Sequence, residues 1–124
     1  MFKMNYLIVG LGGAIGAMLR YGAMNVFIGT FSATIITLCI NSFGSFLLGF
    51  LFYIVQKKSN QFYLFVTTGI LSGFTTFSTF SLDVVQLLQD EFYWKAAVIS
   101  TLSLFGCIFF AYLGAVLAKV GYKK

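Results

Sequence analysis

Residues 67–81 read Thr67-Thr68-Gly69-Ile70-Leu71-Ser72-Gly73-Phe74-Thr75-Thr76-Phe77-Ser78-Thr79-Phe80-Ser81. They lie inside an uncharged interval, 59–82, long enough to cross a bilayer core of about 30 Å, which takes roughly 20 helical residues. Yet Thr, Ser, Gly and Phe are all poorer helix formers than Ala or Leu. A span built from them is expected to break near its middle, at Ser72–Thr76, and to free backbone carbonyls there. At bilayer depth such carbonyls are tolerated only where protein, water or an ion satisfies them. This stretch predicts a membrane helix in two pieces.

The rest of the chain supports a membrane setting. Of 124 residues, 60% are apolar and 9% charged, with a mean hydropathy of +0.95. A soluble domain carries roughly 25% charged residues, so this composition excludes one. There is no His, and the only acids are Asp83, Asp90 and Glu91, which leaves little for zinc sites or nucleophile–base pairs. The net charge of +5 lacks the polar, cation-rich face of a nucleic-acid binder. Cys39 and Cys107 sit in apolar runs and read as small core hydrophobes.

Charges also mark the ends of spans. The intervals 4–19, 21–56, 59–82 and 96–118 are uncharged. The second is too long for one crossing and divides at Gly29-Thr30-Phe31-Ser32. The expectation is an all-α membrane protein, residues 1–124 forming one domain of four antiparallel helices near 4–26, 32–55, 62–89 and 93–118. The continuation past Arg20 argues against a cleaved leader, and continuous rather than alternating apolar runs argue against a β-barrel.

Three further features bear on function. Gly10, Gly12 and Gly16 do not have dinucleotide-fingerprint spacing, and no acid follows before Asp83; Gly12-x-x-x-Gly16 reads as a close helix-packing surface. Arg20, at the end of the first uncharged interval, either snorkels to the interface or draws anions into a vestibule. Thr37, Asn41 and Ser45 recur at i, i+4, i+8 on one face, where neutral donors either hold helices together or line a polar path. Asn41 can donate to an anion without carrying charge. Past the break, Phe77 and Phe80 alternate with Ser78, Thr79 and Ser81; phenyl edges are positive, so ring edges and hydroxyls suit a small anion. Ser100, Ser103 and Cys107 form a mildly polar face on the last helix.

Gly12-Gly13-x-x-Gly16-Ala17-x-x-Arg20-Tyr21, Asn41-x-x-Gly44-x-Phe46 and Gly73-Phe74-Thr75-Thr76-Phe77-Ser78-Thr79-Phe80-Ser81 together resemble the CrcB/Fluc family of bacterial fluoride channels, over essentially the whole chain. The resemblance implies a membrane channel rather than an enzyme, exporting fluoride passively across the cell membrane. It implies an antiparallel dimer with two pores at the subunit interface and a structural Na⁺ held by backbone carbonyls at the helix breaks. By the resemblance, Phe77 and Phe80 are the pore phenylalanines, Asn41 the pore asparagine and Arg20 the vestibule arginine. Ser78, Thr79, Ser81 and Ser103 would supply hydroxyls, and the carbonyls of Ser72 and Thr75 would take the Na⁺.

This chain departs from the family at Ser72-Gly73, where Gly-Gly is usual, at Asp83 in place of Glu, and at Ile99 in place of Tyr. A Ser at a position needing positive φ would cost more than Gly. The cations are lopsided: Lys3, Lys57, Lys58, Lys119, Lys123 and Lys124 fall on one side of a four-span layout, Lys95 and Arg20 on the other. The positive-inside rule then predicts both termini in the cytoplasm. A fixed orientation favours pairing with an oppositely biased relative, against a homodimer that tolerates the bias. Two other functions compete. A small-multidrug-type exporter wants a carboxylate in the first span, which this chain lacks. A non-conducting accessory subunit would fold without passing ions.

Overall fold

The computed structural model describes residues 2–123, so Lys124, one of the six lysines on the crowded side, lies outside the described residues. The described chain is helical apart from short turns: α1 (Phe2–Phe27), α2 (Ala33–Val55), α3 (Asn60–Tyr63), a π-helical segment (Leu64–Leu71), α4 (Ser72–Phe74), α5 (Phe77–Gln89) and α6 (Tyr93–Tyr122). Three of these, α1, α2 and α6, are each long and apolar enough to cross a bilayer. The stretch between α2 and α6, residues 60–89, stands where the third crossing is expected and consists of the shorter pieces; it starts two residues before the expected 62–89 and ends with it. The protein is a multi-pass membrane protein. Leu11, Leu19, Phe105 and Phe109 are all more than half exposed, while Thr37, Asn41, Thr67, Thr76, Asp83 and Ser103 are buried. That arrangement suits lipid outside and hydrogen bonding within.

Packing follows small residues. Gly12 and Gly16 are buried on α1, and a Cβ on either would run into backbone of the third crossing, at Phe65 and Gly69 for the first and at Ile70 and Phe74 for the second. Gly73 meets the Gly13 carbonyl in the same seam. The Gly12/Gly16 spacing therefore does what it predicts, by letting two backbones touch. On the other side, Gly49 of α2 packs on Ala111 and Gly114 of α6 on Phe46 and Phe50. In the first seam residue numbers rise together, and between α2 and α6 they do so from Asn41 near Ser103, through Gly49 on Ala111, to Lys57 on Tyr122. So α1 runs parallel to the first half of the third crossing, and α2 parallel to α6. Chain neighbours α1 and α2 touch little; each long helix packs on the element two crossings away.

The third crossing loses α-helical register twice. Hydroxyls intrude on its first half: Thr67 Oγ1 donates to the Tyr63 carbonyl at 2.6 Å and Ser72 Oγ to the Thr67 carbonyl at 3.1 Å. Back-bonding of this kind bends helices, and here it accompanies the π-helical turns. Then Thr75 (φ −82°, ψ 153°) and Thr76 (φ −153°, ψ 121°) are extended, and α5 starts afresh at Phe77.

Two expectations need correction. Ser72 has φ −69° and ψ −33°, ordinary right-handed helix, so Ser in place of Gly costs no backbone strain. It is Gly73 that must lack a side chain, for the close approach to Gly13. Nor are the cysteines core residues: both are free, Cys39 exposed and Cys107 half-buried.

Candidate functional site

The site is built where α2 passes the extended residues. Asn41 is buried, and its amide grips one residue from both sides: Thr76 N donates to Asn41 Oδ1 at 2.8 Å, and Asn41 Nδ2 donates to the Thr76 carbonyl at 2.9 Å. The side chain thus acts as a single rung of a β-ladder, bonding both backbone groups of Thr76, whose N–H has no partner in either helix. One Nδ2 hydrogen is left over.

The Thr76 hydroxyl does a second job. It caps α5 by accepting from Thr79 N at 3.2 Å, shares a hydrogen bond with Ser78 Oγ at 3.0 Å and donates to Thr79 Oγ1 at 3.3 Å. A Thr accepting from the backbone N–H of the third helical residue is the usual N-cap arrangement. These diversions have a consequence upstream. In α-helical register Thr76 N would donate to the Ser72 carbonyl and Thr79 N to the Thr75 carbonyl. Both amides point elsewhere, so the carbonyls of Ser72 and Thr75 lose the partners a helix would supply.

Beside this junction lies a cleft of about 300 Å³, walled by Asn41 and Ser45 of α2, by Thr75, Thr76, Phe77 and Phe80, and by Ser103, Leu104, Cys107 and Ile108 of α6. The Phe77 and Phe80 rings stand 5.4 Å apart at 52°. Phe77 is 78% exposed, so the cleft is open along that side. Ser103 is buried, and its Oγ has no hydrogen-bond partner among the described residues. Among the described residues, no acid lines the cleft. A half-open space with aryl edges, a free hydroxyl and no negative charge is chemically suited to a small anion.

The structure gathers Asn41, Phe77, Phe80, Ser103 and Thr75 at this cleft. The other expected site residues stand back from its walls. Ser78 and Thr79 belong to the Thr76 hydroxyl cluster, and Ser81 Oγ donates to the Phe77 carbonyl at 2.9 Å. Ser72 is on the far side of the junction, its hydroxyl turned to Thr67, and Arg20 is half-buried on α1. Ile99 is buried with Leu87 and Ala96 in a small apolar core and adds nothing to the cleft.

Sequence reasoning missed Thr76, the residue that organises both sides of the junction. The Thr76-x-x-Thr79 pattern before a helical run was a usable capping signal. It also missed that Asp83 is buried beside Thr37 with Oδ2 unpartnered.

Residues 7–115 match the family model of CrcB-like protein, Camphor Resistance (CrcB). Among curated relatives, the fluoride-specific ion channel FluC of Campylobacter jejuni is 43% identical over 117 residues, covering 91% of this chain and 96% of the relative. The protein of the same name from Shewanella oneidensis is 40% identical over 114 residues, 89% of this chain and 92% of the relative. That from Methanococcus maripaludis is 39% identical over 110 residues, 87% and 90% respectively. With a family match over residues 7–115 and likeness to these relatives over most of its length, the chain belongs to the CrcB-like family.

Proposed function

We propose that this chain is a fluoride channel of the cell membrane, a conduit rather than an enzyme, letting F⁻ leave the cytoplasm down its electrochemical gradient. The observation that carries this reading is the cleft. There the ring edges of Phe77 and Phe80 and the unpartnered Ser103 hydroxyl replace hydration, in a wall free of carboxylates. The remaining Asn41 N–H adds a neutral donor. Ser78, Thr79 and Ser81 act one layer back, holding α5 in place, and Arg20 serves an outer approach where its charge raises local anion concentration.

In this reading the third crossing works as a broken membrane helix, and the released carbonyls of Ser72 and Thr75 fit a resident Na⁺. When bound, that ion supplies positive charge to an otherwise unpaired set of oxygens. The open side of the cleft at Phe77 calls for a second wall, and an antiparallel dimer supplies one. Lys57 Nζ lies 4.1 Å from the Tyr122 ring, which puts the 57–58 turn and the C-terminal end of α6 at one membrane face. Lys3, Lys57, Lys58, Lys119 and Lys123 share that face, and the positive-inside rule makes it cytoplasmic. A chain with fixed orientation would take as antiparallel partner a relative of opposite bias rather than a second copy.

Fluoride and chloride efflux from liposomes tests each part. The chain reconstituted with an oppositely biased relative is expected to release fluoride and retain chloride. No fluoride release in any combination, or equal chloride release, would overturn the channel reading. Fluoride release from liposomes holding this chain alone would overturn only the need for a different partner.

A further inference from the structure

We propose that Asn41, together with the Thr76 hydroxyl, is the positioning group of the Ser72–Thr75 carbonyl site, so that one side chain both walls the cleft and frees the cation's oxygens. The inference rests on the reading of that site as a Na⁺ site given above, and goes beyond it by assigning what creates the site. Two backbone amides would otherwise cover these carbonyls. Thr76 N is drawn away by Asn41 Oδ1 at 2.8 Å, and Thr79 N by Thr76 Oγ1 at 3.2 Å. Both diverting residues are buried, each 9% exposed.

The second Asn41 bond, Nδ2 to the Thr76 carbonyl at 2.9 Å, makes the diversion directional. It holds Thr76 extended, and an extended Thr76 cannot return its N–H to Ser72. Without the Asn41 amide, Thr76 N has an obvious alternative, the Ser72 carbonyl one turn back. Helical register would then close over one oxygen of the pair. Loss of the Thr76 hydroxyl leaves Thr79 N free to close over the other. The side chain that resemblance places in the pore thus bonds the backbone that separates pore from cation site. Asn41 couples the two by geometry, not by touching the ion.

The measurement is Na⁺ binding by the full-length protein in detergent, read as ²³Na line broadening and as the Na⁺-dependent rise in melting midpoint, with N-methylglucamine holding ionic strength constant. The parent protein is expected to show saturable Na⁺ dependence. Asn41→Leu, similar in volume but unable to bond, should weaken Na⁺ affinity about tenfold or more, the scale of one hydrogen bond regained by a competing amide. Thr76→Val should weaken it by a smaller factor, and Thr76→Ser, which keeps the hydroxyl, should restore it. The Thr76 pair decides the matter even where Asn41→Leu does not fold. A parent protein indifferent to Na⁺ would overturn the cation reading itself. Parent-like Na⁺ affinity in a folded Asn41→Leu or in Thr76→Val would overturn this assignment alone.

Discussion

Phe80 belongs to two environments at once. One side of its ring lines the cleft beside Phe77; the other packs on the buried Leu87, Ala96 and Ile99. Replacing it by Ile keeps most of the packing, at a cost of about 1 kcal/mol, but removes the aryl edge. Phe80→Ile is therefore expected to assemble normally and to lose fluoride flux in liposome efflux assays; parent-like flux would remove the ring from the pathway. Ser103 is simpler, since its hydroxyl bonds nothing among the described residues. Ser103→Ala should leave stability unchanged or raised, because it deletes an unsatisfied buried group, while slowing fluoride efflux. At this scale the sequence is legible where chemistry is intrinsic to the side chain: ring edges and hydroxyls can be named from their letters. It is not legible where a residue's partner is distant. Asn41 reads as a free donor, and only the fold reveals that Thr76, 35 positions away, takes up most of its amide.

Elements in this protein are shaped by what stops them. The turn between α5 and α6 is a Schellman closure, with Glu91 N donating to the Leu88 carbonyl at 3.1 Å and Phe92 N to the Leu87 carbonyl at 2.8 Å. It forces Glu91 to φ 63°, the one positive-φ non-glycine residue among those described. Glu91→Gly should accordingly raise stability by about 1 kcal/mol, visible as a higher melting midpoint in detergent. The α1 seam has the opposite sensitivity. A methyl on Gly16 would meet the Ile70 carbonyl and the backbone of Phe74, neither of which can rotate away. Gly16→Ala should cost about 1–3 kcal/mol and lower the midpoint, whereas the open Gly22 should accept Ala freely. Helix ends were legible because charges and small polar clusters mark them, and the start of α2 is displaced by only one residue from 32. The π-helical turns of Leu64–Leu71 were not, because they depend on hydroxyls reaching Tyr63 and Thr67 carbonyls, which no apolar periodicity encodes.

For the whole molecule, order along the chain is a poor guide to who touches whom. Short loops make neighbours antiparallel, yet the tight seams join alternate crossings, because the glycines that permit contact sit at positions 12, 16, 69 and 73 in one pair and 49 and 114 in the other. That grouping brings the C-terminal end of α6 to Lys57 and concentrates positive charge at one face. A reporter fused to the C-terminus should therefore be cytoplasmic in nearly all copies, and Lys57→Gln with Lys58→Gln should increase the inverted population in a protease-accessibility assay. An even split in the parent protein would remove the case for fixed orientation. If residues 60–89 are the third crossing, as proposed, that crossing cannot span the membrane unaided. Its first part, Asn60–Phe74, is about 15 residues or roughly 22 Å, and its second, Phe77–Gln89, is shorter still; neither alone reaches across a core of about 30 Å. Each part therefore leans on a different neighbour: the first is seated on α1 through Gly12, Gly13 and Gly16, and the junction is held to α2 by the Asn41 amide, so the stretch reaches its full span only as part of the assembled chain.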